Sequence, residues 1–195
     1  MSDKLTTHRI FGGDVGKQAD HPAAVIMDGR IVGPRTVEHA AEAKTGIDYD
    51  DLAEHWAQLA DLCDLTLIDS GGPGWPVIDA MRKRSKAQIW AVAITAGHNI
   101  RFLEQQRAVF IPKKALIGDV KLRMEKDLIK FGAVAGMPGG EKLTSQLGDF
   151  VEKQTPGGGV KLEAAGTGHD DLLMAFCLAN VGYDLLNLLH NRRAA

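Results

Sequence analysis

Three aspartate-containing stretches of the sequence carry residue types that could do chemistry. Asp14 follows an apolar stretch and lies among glycines in FGGDVGKQAD, and Asp69 ends the run LTLID directly before SGGPG. Asp170 and Asp171 open the stretch HDDLLMAFCLANVG, which is otherwise apolar. Each acid alone has an ordinary explanation, because aspartates favour turns and acids in a first helical turn stabilise the helix dipole. Their recurrence beside glycines at the ends of apolar runs predicts a shared site.

Such a site would bind divalent cations. Ligands bind outside the carboxyl ends of parallel strands, where Asp14 and Asp69 are expected. Small residues behind Asp171, including Ala175, Ala179 and Gly182, predict a helix that lies close to the sheet. Carboxylates brought together repel one another, and Mg²⁺ or Mn²⁺ reverses that repulsion. Two such ions can activate a water and stabilise the leaving oxygen in phosphodiester cleavage.

The Gly16-Lys17 pair does not form a phosphate-binding loop of the Walker A type. That motif needs a glycine at position 11 and a hydroxyl at position 18, where this chain has Phe11 and Gln18. The residues that follow predict a strand, so the helix N-terminus that binds the phosphate is also missing. The glycines are better explained as clearing space around Asp14.

The pattern along the chain predicts an α/β domain with a mixed sheet flanked by helices. Strands are expected at 8–14, 22–28, within 30–44, 65–69 and 87–94, with a hairpin turn at Asp28-Gly29 and an edge strand at 107–112. Helices are expected at 51–63 with an Asp48 or Asp50 cap, 74–85, 113–131, 140–154 and 169–190, and a short strand at 159–164. The 195 residues suit a single domain.

Composition excludes few functions. The net charge of -2 argues against a protein coated with basic residues, although a local basic strip remains compatible with it. Cys63 and Cys177 are far apart in apolar segments and are expected to be reduced core residues. No apolar run approaches the roughly 18 residues of a membrane span, so no membrane association is expected.

Four stretches together resemble the C-terminal nuclease domain of phage large terminases, the DNA-packaging motors of tailed phages. They are GGDVGKQADHPAAVIMDG, LTLIDSGGPGWPVIDAMRK, VFIPKKAL and GTGHDDLLMAFCLA, which occur in order from about residue 8 to 182. The resemblance implies a ribonuclease H-like five-stranded mixed sheet. It also implies an endonuclease that cuts concatemeric double-stranded DNA in the cytoplasm of a host bacterium.

The resemblance implies roles for individual residues. Asp14, Asp69 and Asp171 would be the catalytic acids, and Asp14 would bridge two Mg²⁺ or Mn²⁺ ions also held by Asp69, Asp171 and Asp170. Asp20 would act near the metals, and His169 could steer a ligand or a phosphate. Ordinary alternatives stay open for both, since Asp20 also suits a strand start and His169 a helix start.

DNA contacts would come from local cations, since an endonuclease with little sequence preference binds mainly phosphates. Arg101 and Arg107 flank a loop where the family often has a β-hairpin, and Lys113, Lys114 and Lys121 belong to the following helix. Lys17 either contacts a phosphate or is an exposed turn lysine.

One departure from the family pattern is large. Full-length terminases carry an ATPase ahead of this domain, and this sequence has no Walker motif. The chain is therefore either an excised domain or a separately encoded nuclease, and an ATPase domain or subunit, a small terminase and a portal are implied as partners. Three alternatives stay open: a Holliday-junction resolvase of the same fold, an actin-like or sugar-kinase-like domain binding Mg-ATP, and a non-catalytic DNA-binding module.

Overall fold

The computed structural model describes residues 6–16, 21–132, 136–148, 150–154, 160–164 and 170–193. The strands are β1 (Thr7–Asp14), β2 (Ala23–Arg30), β3 (Arg35–Glu42), β4 (Leu65–Asp69), β5 (Ile89–Thr95), β6 (Arg101–Leu103), β7 (Ala108–Pro112), β8 (Ile129–Phe131), β9 (Phe150–Gln154) and β10 (Val160–Ala164). The helices are α1 (Tyr49–Ala60), α2 (Gly74–Arg84), α3 (Lys113–Glu125), α4 (Gly140–Gly148) and α5 (Asp171–Arg193).

Within the described residues, eight strands form one mixed sheet in the order β6-β7-β5-β4-β1-β2-β3-β8, and β9 and β10 form a separate hairpin. Strands β1 to β3 are antiparallel neighbours, whereas β4, β5 and β7 run parallel to β1. The five central strands, β3-β2-β1-β4-β5, are the predicted five-stranded core, which the shorter strands extend on both sides. We call the end of the sheet at which β1, β4, β5 and β7 finish the site end, because Asp14 and Asp69 lie there.

The two faces of the sheet bury separate apolar cores. Side chains alternate between faces along a strand, so Ile10 faces α5 while its neighbour Phe11 faces α1 and α2. On the second face the Phe11 ring packs edge-on against Trp56 of α1 at 5.6 Å between ring centroids. Asp48 caps α1 by accepting a hydrogen bond from the Asp50 backbone N–H, which confirms one of the two predicted caps.

Helix α5 lies against the sheet at backbone distance, as its small residues predict. A Cβ placed on Gly12 would lie 2.1 Å from the Ala175 carbonyl oxygen and 2.4 Å from the Ala179 nitrogen. A Cβ on Gly182 would lie 2.4 Å from Cγ2 of Ile10. Because later residues of α5 meet earlier residues of β1, the helix runs antiparallel to the strand and its first turn lies at the site end.

The expectation that no apolar run reaches membrane-spanning length was wrong for α5. Within Asp171–Arg192, an 18-residue window has a mean hydropathy of 1.6, which is sufficient by length and composition for a span. However, 72% of that window is buried inside the fold, where it forms the centre of the larger core. Its apolar character is explained by burial against the sheet.

A polar network ties α5 to β3 and to α3. The Arg35 side chain is fully buried and donates to the backbone oxygen and Oδ1 of Asn180 at 2.7 and 2.6 Å. Its guanidinium also stacks on the Tyr183 ring, 4.2 Å from the centroid. Asn180 Nδ2 in turn donates to Asp119 Oδ2 of α3 at 2.6 Å. These contacts fix the position of α5 relative to both neighbours.

Three predicted boundaries were wrong. The helix expected at 113–131 ends at Glu125, because Asp127 adopts a left-handed φ of 54° and the chain then pairs with β3 as β8. The helix expected at 140–154 ends at Gly148 and is followed by β9. Asp28-Gly29 is not a turn, since both residues lie inside β2. A Cβ at Gly29 would lie 2.7 Å from the Arg35 Cα, so this glycine permits close pairing with β3.

Candidate active site

Asp14 and Asp69 are neighbours at the ends of adjacent parallel strands. The ladder between β1 and β4 pairs Gly13 with Ile68, so the next residue of each strand is one of the two acids. Neighbouring strands are about 4.8 Å apart. Asp14 Oδ1 accepts a hydrogen bond from the Gly16 backbone N–H at 3.1 Å, and Asp69 Oδ1 accepts one from Gly71 at 3.0 Å. The glycines after each acid therefore orient its carboxylate.

Helix α5 brings Asp171 and Asp170 to the same place. Asp171 is the first residue of α5 and is 6% exposed. It precedes Ala175, which contacts Gly12, by four residues, or about 6 Å along the helix axis. Asp14 lies two residues beyond Gly12 in the same direction, about 6.6 Å along the strand. The close approach at Gly12 thus places the start of α5 over the end of β1.

Electrostatics show that these four acids form one cluster. The pKa of Asp14 is raised to about 7, chiefly by burial and then by the negative charge of Asp69. Asp171 and Asp170 raise it further, and the Gly16 N–H opposes the shift. Burial also raises the pKa of Asp69, against the lowering effects of the Gly71 and Ser70 N–H groups and of Lys113. We call Asp14, Asp69, Asp170 and Asp171 the acidic cluster.

Lys113 lies within reach of the acidic cluster. It is the first residue of α3, directly after β7 ends at the site end. Its Nζ donates to Asp170 Oδ2 at 2.6 Å, and its charge also acts on Asp69. Both side chains of this pair remain partly exposed. The lysine that sequence reasoning assigned to DNA therefore also partly neutralises the acidic cluster.

The donor chemistry of the acidic cluster suits Mg²⁺ or Mn²⁺. All four side chains offer carboxylate oxygens, which hard cations prefer, and burial together with the neighbouring acids disfavours the charged form of Asp14 when no cation is bound. In the part of the chain that the structure describes, no group of three or more His, Cys, Asp or Glu side chains is gathered closely enough to hold a metal ion as it stands. Mg²⁺ usually keeps several waters and is bound through one or two carboxylates, so this looser arrangement still suits it.

The remaining predicted site residues are distributed as follows. Asp20, His169 and Lys17 lie outside the described residues. Lys114 is exposed beside Lys113 at the site end, and Lys121 is exposed two turns farther along α3. Arg101 pairs with Phe110 across β6 and β7, near the site end, and stacks on that ring at 4.6 Å. Arg107 precedes β7 and so lies at the opposite end of the sheet.

Two positioning contacts at the site were not recognised from the sequence. Gln146 of α4 accepts a hydrogen bond from the Leu173 N–H at 2.9 Å, and it thereby holds the first turn of α5. A Cβ on Gly74 would lie 2.0 Å from the Asp69 carbonyl oxygen, so only glycine allows α2 to begin against the end of β4. The run SGGPG was the available signal for Gly74, whereas nothing local indicates that Gln146 binds α5.

Comparison with solved structures identifies the fold. No protein-family model matches the chain, and no curated protein sequence matches it. The large terminase nuclease from thermophilic phage G20c with bound magnesium aligns over 92% of this chain and 82% of its own, with a TM-score of 0.59 and 19% identity. The SPP1 large terminase nuclease domain with bound Mn aligns over 93% and 88%, with a TM-score of 0.58 and 14% identity. The human cytomegalovirus terminase nuclease domain aligns over 94% and 85%, with a TM-score of 0.54 and 9% identity.

The chain has the fold of a terminase nuclease domain. The resemblance first seen in short sequence stretches is therefore confirmed for the fold, and the mixed sheet flanked by helices is the predicted architecture. Sequence identities of 9–19% establish a shared fold. In this terminase-nuclease fold, the strand ends of β1 and β4 and the first turn of α5 carry the acidic cluster.

Proposed function

We propose that this chain is a divalent-metal-dependent endonuclease of a viral DNA-packaging terminase that cuts concatemeric double-stranded DNA. The observation that carries the proposal is the placement of four acids from β1, β4 and the start of α5 at one end of the sheet. There burial, and then the charges of Asp69, Asp171 and Asp170, raise the pKa of Asp14 to about 7. Acids with strongly raised pKa values are typical of functional sites, and a bound cation would offset both the burial and the mutual repulsion of these acids. The neighbouring solved structures with bound magnesium or Mn support divalent ions as that ligand.

The chain's residues supply the ligands and hold their geometry. Asp14 would hold both ions from the end of β1, Asp69 would contribute from the end of β4, and Asp171 and Asp170 would complete the sites from the start of α5. Two ions bound there supply the charge that activates a water for in-line attack and stabilises the departing 3′ oxygen. The backbone N–H groups of Gly16 and Gly71 hold the two strand-end carboxylates in orientation.

Lys113 and Lys114 would meet the DNA backbone where it approaches the acidic cluster. Lys113 would exchange Asp170 for a phosphate once cations neutralise the acids, and Lys114 is exposed beside it. Arg101 and Lys121 would extend the phosphate contacts, while Arg107 could reach only DNA that continues past the opposite end of the sheet. Asp20, His169 and Lys17 remain proposed contributors. A terminase ATPase, a small terminase and a portal in the host cytoplasm are proposed from the likeness of fold.

The test is plasmid nicking by the Asp69→Asn variant in Mn²⁺ and Mg²⁺. The amide can still accept the Gly71 hydrogen bond but removes one charge from the acidic cluster, so nicking should fall at least 100-fold while the fold persists. The matched control is Asp79→Asn on α2, whose carboxylate is 62% exposed and lies 4.0 Å from Nη1 of Arg82. That control should cut at the wild-type rate.

The nicking result, a comparison of DNA substrates and a calorimetric titration separate the proposal from its alternatives. Wild-type cutting by Asp69→Asn would remove Asp69 from the mechanism. Strong preference for four-way junctions over linear duplex would favour a resolvase. Heat released on titration with Mg-ATP, without any DNA cleavage, would favour a nucleotide-binding domain and contradict the proposal.

A further inference from the structure

An exposed tryptophan lies at the site end of the sheet, on the face covered by α1 and α2. The chain has three tryptophans, of which Trp56 and Trp90 are 2% and 4% exposed, whereas Trp75 is 41% exposed. Indole rings are large apolar surfaces that are usually mostly buried. Trp75 therefore leaves a large part of its indole in contact with solvent, unlike the other two tryptophans.

The loop after Asp69 places Trp75 at the site end. Gly74 lies so close to the strand that its Cβ would lie 2.0 Å from the Asp69 carbonyl oxygen, and Trp75 is the next residue. It belongs to the first turn of α2, and helical side chains lean towards the N-terminus of their helix. Trp75 therefore lies at the same end of the sheet as Asp69, directly after the loop that follows this acid.

We propose that Trp75 is a DNA contact that stacks on an unpaired or terminal base of the strand being cut. This inference rests on the proposed nuclease function and adds a non-electrostatic binding element to it. Aromatic side chains bind bases in a sequence-tolerant way because every base has a π-face. Such a contact suits an enzyme with little sequence preference.

The charge distribution explains why an uncharged contact is useful at this place. The four carboxylates of the acidic cluster repel phosphates until cations bind, and Lys113 is engaged with Asp170. Stacking is independent of that repulsion. Phosphate contacts weaken steeply with added salt, whereas stacking contributes little to the salt slope.

The experiment measures DNA affinity and its salt dependence in the uncut complex. Each variant is combined with Asp69→Asn to prevent cleavage, and a duplex with an unpaired 3′ tail is titrated at several salt concentrations with Mg²⁺ present. We expect Trp75→Ala to weaken binding about 5- to 100-fold at every salt concentration. Trp75→Phe should retain most of the affinity. Lys114→Ala should instead reduce the salt slope by about 0.9.

A matched control is Leu62→Ala, which removes an apolar side chain that is 60% exposed near the opposite end of the sheet. This variant should bind the tailed duplex as tightly as the Asp69→Asn protein does. The other two tryptophans are buried, so a fluorescence change on binding should come from Trp75. Tailed DNA should therefore quench the tryptophan fluorescence of the Asp69→Asn protein, and Trp75→Phe should abolish this quenching. Circular dichroism verifies that each variant is folded.

The outcomes distinguish this inference from the function on which it rests. Wild-type affinity of Trp75→Ala, with nicking still dependent on Asp69, overturns the stacking role and leaves the nuclease proposal intact. A changed salt slope in Trp75→Ala also overturns it, since that result would indicate an electrostatic effect. Absence of both DNA binding and nicking in the wild-type chain overturns both.

Discussion

Substitution of Gly12 by alanine tests whether the close approach of α5 to β1 determines both stability and site geometry. The new Cβ would lie 2.1 Å from the Ala175 carbonyl oxygen and 2.4 Å from the Ala179 nitrogen. Ordinary contacts begin near 3.4 Å, so α5 must move by about 1 Å. Both obstructing atoms belong to the helix backbone, and no side-chain rotation can relieve the clash.

The expected cost is at the upper end of the range for overpacked cores, about 3 kcal/mol or more. For a chain of 195 residues this lowers Tm by about 6–12 °C. Gly182→Ala should cost less, about 1–2 kcal/mol, because its Cβ meets side-chain methyl groups of Ile10 and Leu67 that can adjust. Urea denaturation without metal measures the free energies of unfolding of the wild-type protein and of these two variants.

The control is Gly118→Ala on α3, where the added Cβ has nothing within 4 Å. Alanine favours the helix there, so this variant should gain about 0.5–1 kcal/mol. Gly12→Ala should also nick plasmid DNA more slowly at temperatures where it is fully folded, since α5 carries Asp171 away from Asp14. A Gly12→Ala protein within 0.5 kcal/mol of wild type would refute the close-packing argument.

Two further predictions concern charges buried in the fold. The pKa of Asp14 is raised from 3.8 in the unfolded chain to about 7 in the folded protein, so the folded protein holds this proton more tightly. The resulting stabilisation is fully present below about pH 4 and is lost as the pH rises to about 7, a loss of up to about 4 kcal/mol in the free energy of unfolding. Asp14→Asn should therefore stabilise the metal-free protein at pH 8 and flatten its stability between pH 4 and 7 in urea titrations with EDTA. If Asp14→Asn kept the wild-type dependence of stability on pH, the raised pKa would not belong to Asp14. Arg35→Met should cost about 3 kcal/mol or more, because Asn180 loses two buried hydrogen bonds. The control is Arg30→Ala, which removes an exposed side chain and should change the free energy of unfolding little. Equal losses of stability in the two variants would show that burial of Arg35 is unimportant.

Much of the fold could be predicted because its signals are local. Apolar runs bounded by glycines, such as LTLID before SGGPG, mark buried strands, and β4 was predicted at its observed bounds of Leu65–Asp69. The small residues of α5 predicted its close packing because only small side chains allow backbone contact. The strand-end acids followed from the same reasoning.

The errors arose where tertiary pairing overrides local pattern. Leu128 and Phe131 continue the apolar stripe of α3, yet the chain leaves the helix at Asp127 so that β8 can pair with β3. Asp28-Gly29 has turn chemistry, but close pairing between β2 and β3 explains this glycine. Contacts such as Gln146 with Leu173 join residues that are distant in sequence, and periodicity carries no information about them.

The acidic cluster is held by contacts outside itself. The charges of Asp69, Asp171 and Asp170 add to the effect of burial in raising the pKa of Asp14, so the interactions among the four acids favour separation. The opposing constraints are the backbone contact at Gly12, the Gln146 cap on α5 and the Arg35–Asn180 hydrogen bonds, none of which involves a carboxylate of the cluster. A site arranged in this way keeps its charges together before any cation arrives. Metal binding would then relieve repulsion in a frame already formed, so the same acids that lower the stability of the metal-free chain would raise its affinity for divalent ions.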